Sequence, residues 1–584
     1  MKSSPSLFNA TVFKKNLTRF APAWGLYTVG LLLILLILMD GGSRWFASSL
    51  CDLTQGFCIY TFFYALLCSQ LLFGDLYNSR MCYSLHALPL RRETWFTTNV
   101  LSGFTFCLIP TVIFAILAGI ASLFYTTGDW KAAVLWLLGV NLQFVCFFGM
   151  AVCSAFCAGS RFAQAVVYGI LNFGSLILGW LVDTVFVPMY YGIKINIEPF
   201  FWFAPLGQMT QEPFCEQERH YNRITGQSDP GALVMGDNFI YYFIAAAVGI
   251  GLLLLALRLY RRRDLERAGD FLAIRGLEPV FLVVYTVIMG TVFHFISEDI
   301  FGMDAWVMLF LGIPVGWFTG KMLLERTPRV FRKKNCLGCG LMMIACILVL
   351  TVAGLDPFGV ENWVPEAENV ESVTIADGHY NYHDGIAELE DPEEIRKIID
   401  IHKQALQQHE ERISKEAVTV ETVYEEILPD KENARMDVFT QFTITYRMKN
   451  GRTVNRYYNL PVGDETGLWL NQLFSEAEVV LERRDIDVFL AENKYLRIRD
   501  YWVDVDTLVS SRKEVEGLMD AIMADCEAGH MAQNHMFHIG ENSLYWINFS
   551  NGLEITVYSD CENTLNWLRA KGLDVDTLIE ERTK

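Results

Sequence analysis

The sequence predicts an α-helical polytopic membrane domain of about nine spans, followed by an extracytoplasmic α+β domain with two candidate repeats. Three observations predict it. Apolar residues make up 52% of the 584 positions and aromatic ones 14%, more than a soluble chain needs to fill its core. Nine apolar stretches lie near the twenty residues a bilayer requires, at about 21–39, 57–73, 100–124, 132–157, 163–182, 239–257, 280–296, 306–323 and 337–354. The charge is divided: the net −19 resolves into about −24 from Leu355 onward and about +5 before it, so the two parts are made for different solvents.

In the opening twenty residues, Leu7, Phe8, Val12, Phe13, Leu17 and Phe20 recur at helical spacing, with Lys14, Lys15 and Arg19 on other faces. That pattern suits a helix lying in the membrane interface. The segment is too polar for a cleavable signal, and the run from Ala21 to Met39 is long enough to stay as an anchor. With the amino terminus inside, the cytoplasmic pieces hold roughly nineteen Lys and Arg residues and the short external pieces roughly five, a positive-inside bias. Nine crossings then put everything after Gly354 outside the cell; a count wrong by one would return it to the cytoplasm.

Between the second and third spans runs YNSRMCYSLHALPLRRETWF, Tyr77 to Phe96, apolar and then basic at Leu85, Leu88, Pro89, Leu90, Arg91 and Arg92. Pro89 can end one helical turn and begin another, which gives a short knob along the membrane surface. The LHALPLRR run resembles the coupling segment in transmembrane subunits of type 2 ABC transporters; an ordinary juxtamembrane turn is the alternative. The resemblance spans roughly residues 6–269 and makes 21–269 a six-span permease module. It implies that residues 85 and 88–92 dock a separate cytoplasmic ATPase, which binds the ATP, and that a second copy of this chain or a paralogue completes the assembly. Two further features are similar to that family. The loop 188–237 carries Phe200, Phe201, Trp202 and Phe203, which suggests half-buried or re-entrant helices, and YRRRDLERAG (260–269) follows the sixth span. The three additional spans in 270–354 have no evident role beyond carrying the tail across.

From Leu355 the periodicity becomes that of a soluble domain, with candidate repeats at about 370–480 and 495–584. TYRMKNGRTVNRY and WINFSNGLEITVY both read as alternating strands joined by Asn-Gly, at Asn450-Gly451 and Asn551-Gly552, a hairpin signal because the turn needs positive φ. Each is preceded by an amphipathic helix, through Ile395, Ile398, Ile399, His402 and Leu406 in the first and Val515, Leu518, Met519 and Ile522 in the second. Each is followed by a helical Trp/Leu pattern, at 469–474 and 565–568.

No glycine-rich phosphate loop followed by Lys and Ser or Thr occurs, so any ATP hydrolysis belongs to a partner and the chain itself is not expected to be an enzyme or to hold a cofactor. There is no nucleophile elbow. Asn141, Gln143, Asn172 and Gln164 are candidates to line a translocation path or, equally, to bond helix to helix. Asp183 reads as a carboxylate reaching interfacial water, and the absence of buried ion pairs argues against an ion-coupled carrier. His530, His535 and His538, like His379 and His383, read as solvated loop residues without a completing ligand, and Cys336 and Cys339 form a lone CxxC. Most of the fourteen Cys lie in spans; no disulfide framework is supported, and a single Cys526–Cys561 bridge stays open. Basic runs hug the membrane boundaries, which sets nucleic-acid binding aside. The expected function is the permease subunit of an ABC exporter in a bacterial plasma membrane, embedded in the lipid bilayer. The alternative is a membrane sensor whose external domain binds an envelope ligand or peptide without transport.

Overall fold

The computed structural model describes residues 7–40, 46–87, 90–125, 128–193, 195, 197–211, 213–222, 227–263, 269–296, 305–377, 387–416, 439–461, 496–500, 505–531, 543–549, 554–573 and 575–576. The chain forms two units, Met1–Val185 with Asn196–Thr351, and Phe186–Ile195 with Val352–Lys584.

The first unit is helical, and among the described residues nine helices are long and apolar enough to cross a membrane. A surface helix α1 (Ala10–Arg19) precedes them. Asn9 caps it by accepting from the backbone of Thr11 and Val12. Asn16 Nδ2 donates to Asn99 Oδ1 at 2.8 Å and Ser102 Oγ at 3.1 Å, so α1 is fastened across the start of the third span. The spans are α2 (Ala21–Asp40), α3 (Phe46–Phe73), then, after the short surface helix α4 (Ser79–His86), α5 (Arg92–Ser122), α6 (Trp130–Cys157) and α7 (Arg161–Leu181). Two short helices, α8 (Glu198–Phe201) and α9 (Pro205–Gln211), lead to the antiparallel hairpin β1 (Cys215–Asn222) and β2 (Gln227–Met235). Then come α10 (Phe239–Arg262), α11 (Glu278–Phe295), α12 (Ala305–Glu325) and α13 (Lys333–Gly354).

Lipid-facing surface and core separate by helical phase. On α2, Tyr27, Leu31 and Leu35 are buried one turn apart, whereas Leu26 and Ile37 are 73% and 70% exposed. The centre of the bundle is aromatic: Tyr168 stacks on Phe62, and Phe144 on Phe148, with α6 running through the middle. Glycines let backbones meet. Gly149 of α6 lies against Gly249 of α10, and Gly312, Gly316 and Gly320 on α12 form an every-fourth-residue seam against α11. The second span starts at Phe46 rather than near residue 57. Its polar first turns are accommodated because Ser48, Cys51 and Thr54 are buried against neighbouring protein.

The second unit holds two four-stranded antiparallel sheets. The first contains β3 (Val370–Asp377), β4 (Ala387–Leu389), β5 (Phe439–Met448) and β6 (Thr453–Pro461), ordered β4-β3-β5-β6, with α14 (Pro392–Glu416) between β4 and β5. The second contains β7 (Leu496–Asp500), β8 (Val505–Val509), β9 (Ser543–Phe549) and β10 (Glu554–Tyr558), ordered β10-β9-β7-β8. Helix α15 (Arg512–Glu527) falls between β8 and β9, and α16 (Glu562–Ala570) follows β10. Both sheets therefore place their strands in the same spatial order, second-first-third-fourth, with one helix after the second strand. Gly451 takes φ +80° in the β5–β6 turn; the matching Asn551-Gly552 turn and the 469–474 pattern lie outside the described residues. In the second sheet's layer, buried Asp525 accepts from the backbone of Asn563 and Thr564 at 3.0 and 2.7 Å, capping α16 from α15.

The tail sheet is joined to the chain just beyond the fifth span. Tyr457 N donates to Gly192 O at 3.0 Å, Ile193 bridges Arg456, and Tyr190 Oη donates to Ala353 O at 2.8 Å.

Candidate coupling site

The loop between the second and third spans is built on α4. Asn78 starts the helix: its carbonyl accepts from Cys82 N and its side chain from Arg80 N. Cys82 turns inward and is buried, and burial pushes its thiol up, so it is a protonated packing group. Arg80, Met81, Tyr83 and Ser84 face outward. An exposed Met and Tyr beside a cation is a surface suited to a protein partner. Of the residues singled out from the sequence, Leu88 and Pro89 lie outside the described residues, as does the side chain of Leu85. Leu90 is half-buried, and Arg91 is exposed at the N-cap of α5.

Both ends of this loop are fastened to the end of the sixth span. At the exit, Arg92 Nη1 donates to Tyr260 O at 3.1 Å and its guanidinium lies 5.6 Å from the Tyr260 ring centre, while Glu93 pairs with Arg261 at 3.1 Å. At the entrance, buried Arg263 donates from Nη1 to Ala155 O at 2.9 Å and from Nη2 to Leu76 O at 3.4 Å. The Glu93–Arg261 pair joins an exposed guanidinium to a half-buried carboxylate and is worth at most about 1 kcal/mol. The buried guanidinium of Arg263 is the stronger tie, because its donors would otherwise be left without water. A force on α4 therefore has a path into α3, α5, α6 and α10. Below it, residues 157–159 and 269–273 pair as extended backbone: Gly269 N donates to Gly159 O, Gly159 N to Phe271 O and Ala273 N to Cys157 O. In the sequence, the 260–263 run reads as positive-inside charge and, within YRRRDLERAG, as a feature similar to the end of a six-span module. A Tyr followed by three Arg at a span end carries no sign of which Arg turns inward.

The polar residues of the bundle mostly join helices. Gln164 Nε2 donates to Ser69 Oγ and Ala151 O while its Oε1 accepts from Tyr77, and Asn141 Nδ2 donates to Thr111 Oγ1 at 3.1 Å. Gln143 Nε2 donates to Thr54 O at 2.8 Å, and Asn172 Nδ2 bonds its own helix at Tyr168 O. Gln143 Oε1, Thr54 Oγ1, Trp136 Nε1 and Asn172 Oδ1 are buried without a hydrogen-bond partner. Three of those four lie on α3 and α6, which gives that interface unmet polar capacity, as Tyr27 Oη and Ser175 Oγ give other parts of the bundle. Asp183 is half-buried beyond α7.

In the tail, His402, legible in the sequence only as a helix-face residue, sits in a buried polar cluster. His402 of α14 is buried between Tyr446 Oη, 3.0 Å from Nδ1, and Tyr458 Oη, 2.6 Å from Nε2. Burial, with the cations Arg456 and Lys403 nearby, pulls its pKa down to about 3. Cys526 and Cys561 are both free thiols, and Cys561 Sγ sits against His530 O and Met531 Sδ, so the bridge left open between them is not made. His535, His538, His379 and His383 lie outside the described residues. Among the described residues no three His, Cys, Asp or Glu gather as a metal site.

The architecture defines the class: a multi-pass membrane protein, largely helical, with a tail of two small sheets. No protein-family model, curated protein or solved structure matches the chain.

Proposed function

We propose that the chain is the membrane-spanning subunit of an ABC exporter, driven by a separate cytoplasmic ATPase and completed by a second copy of itself or a paralogue. The observation that carries this reading is α4, a short surface helix between the second and third spans whose entrance and exit are both bonded to residues 260–263. Closure of an ATPase against α4 would move three spans and the sixth span's end together, the coupling that transport needs when the motor is a different polypeptide. The α3–α6 interface, with its unmet polar atoms, is where a polar cargo finds partners. In this reading the amino terminus is cytoplasmic and the tail lies outside a bacterial plasma membrane. The positive-inside bias supports it. So does the bond between Tyr457 and Gly192: an even number of crossings must separate residues 186–195 from the tail, and the four helices α10 to α13 supply it.

Replacing Leu88 and Arg91 together, L88E with R91E, is expected to leave the chain inserted and folded but to abolish co-purification of the ATPase encoded with it. An ATPase still recovered in wild-type amount removes the coupling reading. Orientation is tested separately with a membrane-impermeant maleimide on intact cells. Asn450→Cys should gain label over the parent chain and Ser84→Cys should gain it only after permeabilisation; the reverse pattern inverts the topology.

A further inference from the structure

The outer turns of α3 carry a regular seam against the loop between the fifth and sixth spans. Cys51, Gln55 and Cys58 are spaced four and three residues apart, so they share one face of the helix. Opposite them the chain runs antiparallel: Cys58 Sγ faces Leu206 O at 4.0 Å, Gln55 Nε2 donates to Thr210 O and to Gln211 O, the latter at 2.9 Å, and Cys51 Sγ lies 2.9 Å from Cys215 Sγ. Both cysteines of that last pair are fully buried. Their neighbour Phe214 is buried too, in edge contact with Tyr242 of α10. Two sulfurs at this separation are closer than non-bonded sulfur atoms sit comfortably, and the backbone on each side is held by its own contacts, so little movement separates the pair from a bond.

We propose that Cys51 and Cys215 are joined by a disulfide in the mature protein, a covalent stay that fixes the β1–β2 hairpin and α9 to the second span. The proposal rests on the reading that puts this end of α3 outside the membrane, where disulfides persist. The oxidant is a disulfide of the exterior, a small-molecule or protein R–S–S–R. One cysteine thiolate attacks it and releases R–S⁻; the second thiolate then attacks the mixed disulfide at the protein's sulfur and releases the other R–S⁻. The protein pair gives up two electrons, the carrier disulfide takes them, and the two thiol protons end on two R–SH.

The pair is invisible in spacing, since 163 residues separate the two cysteines in the chain. Only the fold brings them together.

The test uses the full chain in its membrane. Cells are quenched in acid, the denatured protein is alkylated with N-ethylmaleimide at neutral pH to block free thiols, and it is digested without reductant. The expected result is a linked peptide pair containing Cys51 and Cys215 that separates on reduction, and two fewer alkylated sites than the 14 cysteines present. Cys58→Ser should keep the link, whereas Cys51→Ser should leave Cys215 alkylated. All 14 sites alkylated in wild type overturns the proposal. When that result is followed by equilibrating the purified chain with oxidised glutathione, a link that now forms assigns the failure to the orientation, and no link assigns it to the pairing itself. Neither bears on ATPase capture by α4, which is measured independently.

Discussion

Valine in place of Gly149 is expected to remove most of the folded, monodisperse protein from detergent extracts, with a loss of stability of about 3 kcal/mol or more. The reason is that the sixth span crosses the fourth backbone to backbone. A Cβ on Gly149 would stand 2.6 Å from the carbonyl carbon of Gly249, and one on Gly249 would stand 2.5 Å from Val145 O and 2.7 Å from Cys146 Cα. Neither obstacle is the end of a flexible side chain, so no rotamer change relieves it; α6 and α10 must separate. Separation costs more here than the local contacts alone. Arg263 at the end of α10 is bonded to Ala155 near the end of α6, so the same displacement strains the tie that holds the entrance of the α4 loop. Gly251 supplies the control. It lies two residues along the same helix with nothing within 4 Å of a built Cβ, and Gly251→Val should leave the melting temperature and chromatographic profile unchanged. Equal profiles for Gly149→Val and wild type would show that the two helices do not meet as described.

The nine helices were legible because a span needs only length and apolarity, and both are local properties of the chain. What was not legible came from contacts that sequence distance hides. The start of α3 reads as loop because Ser48, Asp52 and Gln55 interrupt the apolar run, yet those turns are helical since Cys51 and Thr54 on the same segment are buried by other elements. The hairpin β1–β2 had no signal: Glu216, Arg219, His220 and Asp229 spread charge along both strands, so no alternation marks one face as inward. The β5–β6 hairpin was legible for the opposite reason, since Asn450-Gly451 fixes the turn chemistry and Ile444, Tyr446 and Tyr458 mark the buried face. Gly312, Gly316 and Gly320 recur every fourth residue, a spacing that was not read as a seam, and in the fold they bring α12 close against α11. Of the loop between the second and third spans, its place at the surface of the bundle was legible from its basic residues. Its attachment to Tyr260 and Arg263 was not, because an inward-turned arginine looks like any other residue in a positive-inside run.

Acidification is expected to weaken the first tail module well before its carboxylates protonate, through His402. In the folded chain this imidazole is held near pKa 3, whereas in the unfolded chain it takes its ordinary value near 6.5. Between those values the unfolded chain binds a proton that the folded one refuses. The stabilisation is therefore complete above about pH 6.5 and is lost as pH falls toward 3, at about 1.4 kcal/mol for each pH unit. The refusal has a structural cause on every side. Tyr446 and Tyr458 occupy both ring nitrogens, and a neutral imidazole satisfies them by donating to one hydroxyl and accepting from the other. A second ring proton would meet the hydroxyl that was donating, with the guanidinium of Arg456 and the ammonium of Lys403 adding repulsion. Thermal unfolding of the full chain between pH 8 and pH 5 isolates the effect, because that window lies above the ordinary carboxylate range; the loss over it should be about 2 kcal/mol. His402→Gln keeps one donor and one acceptor but cannot titrate, so its unfolding should be less stable at pH 8 and flatter toward pH 5. The cluster also reaches the chain beyond the fifth span. Gly192 holds φ +72° with the Tyr458 ring against it, and a Cβ there would stand 2.5 Å from Tyr458 Cζ. Protonation of His402 that displaces Tyr458 should therefore speed hydrogen exchange at Tyr457 N, whose acceptor is Gly192 O. Wild type and His402→Gln with the same slope from pH 8 to 5 would mean that His402 is not the group that titrates.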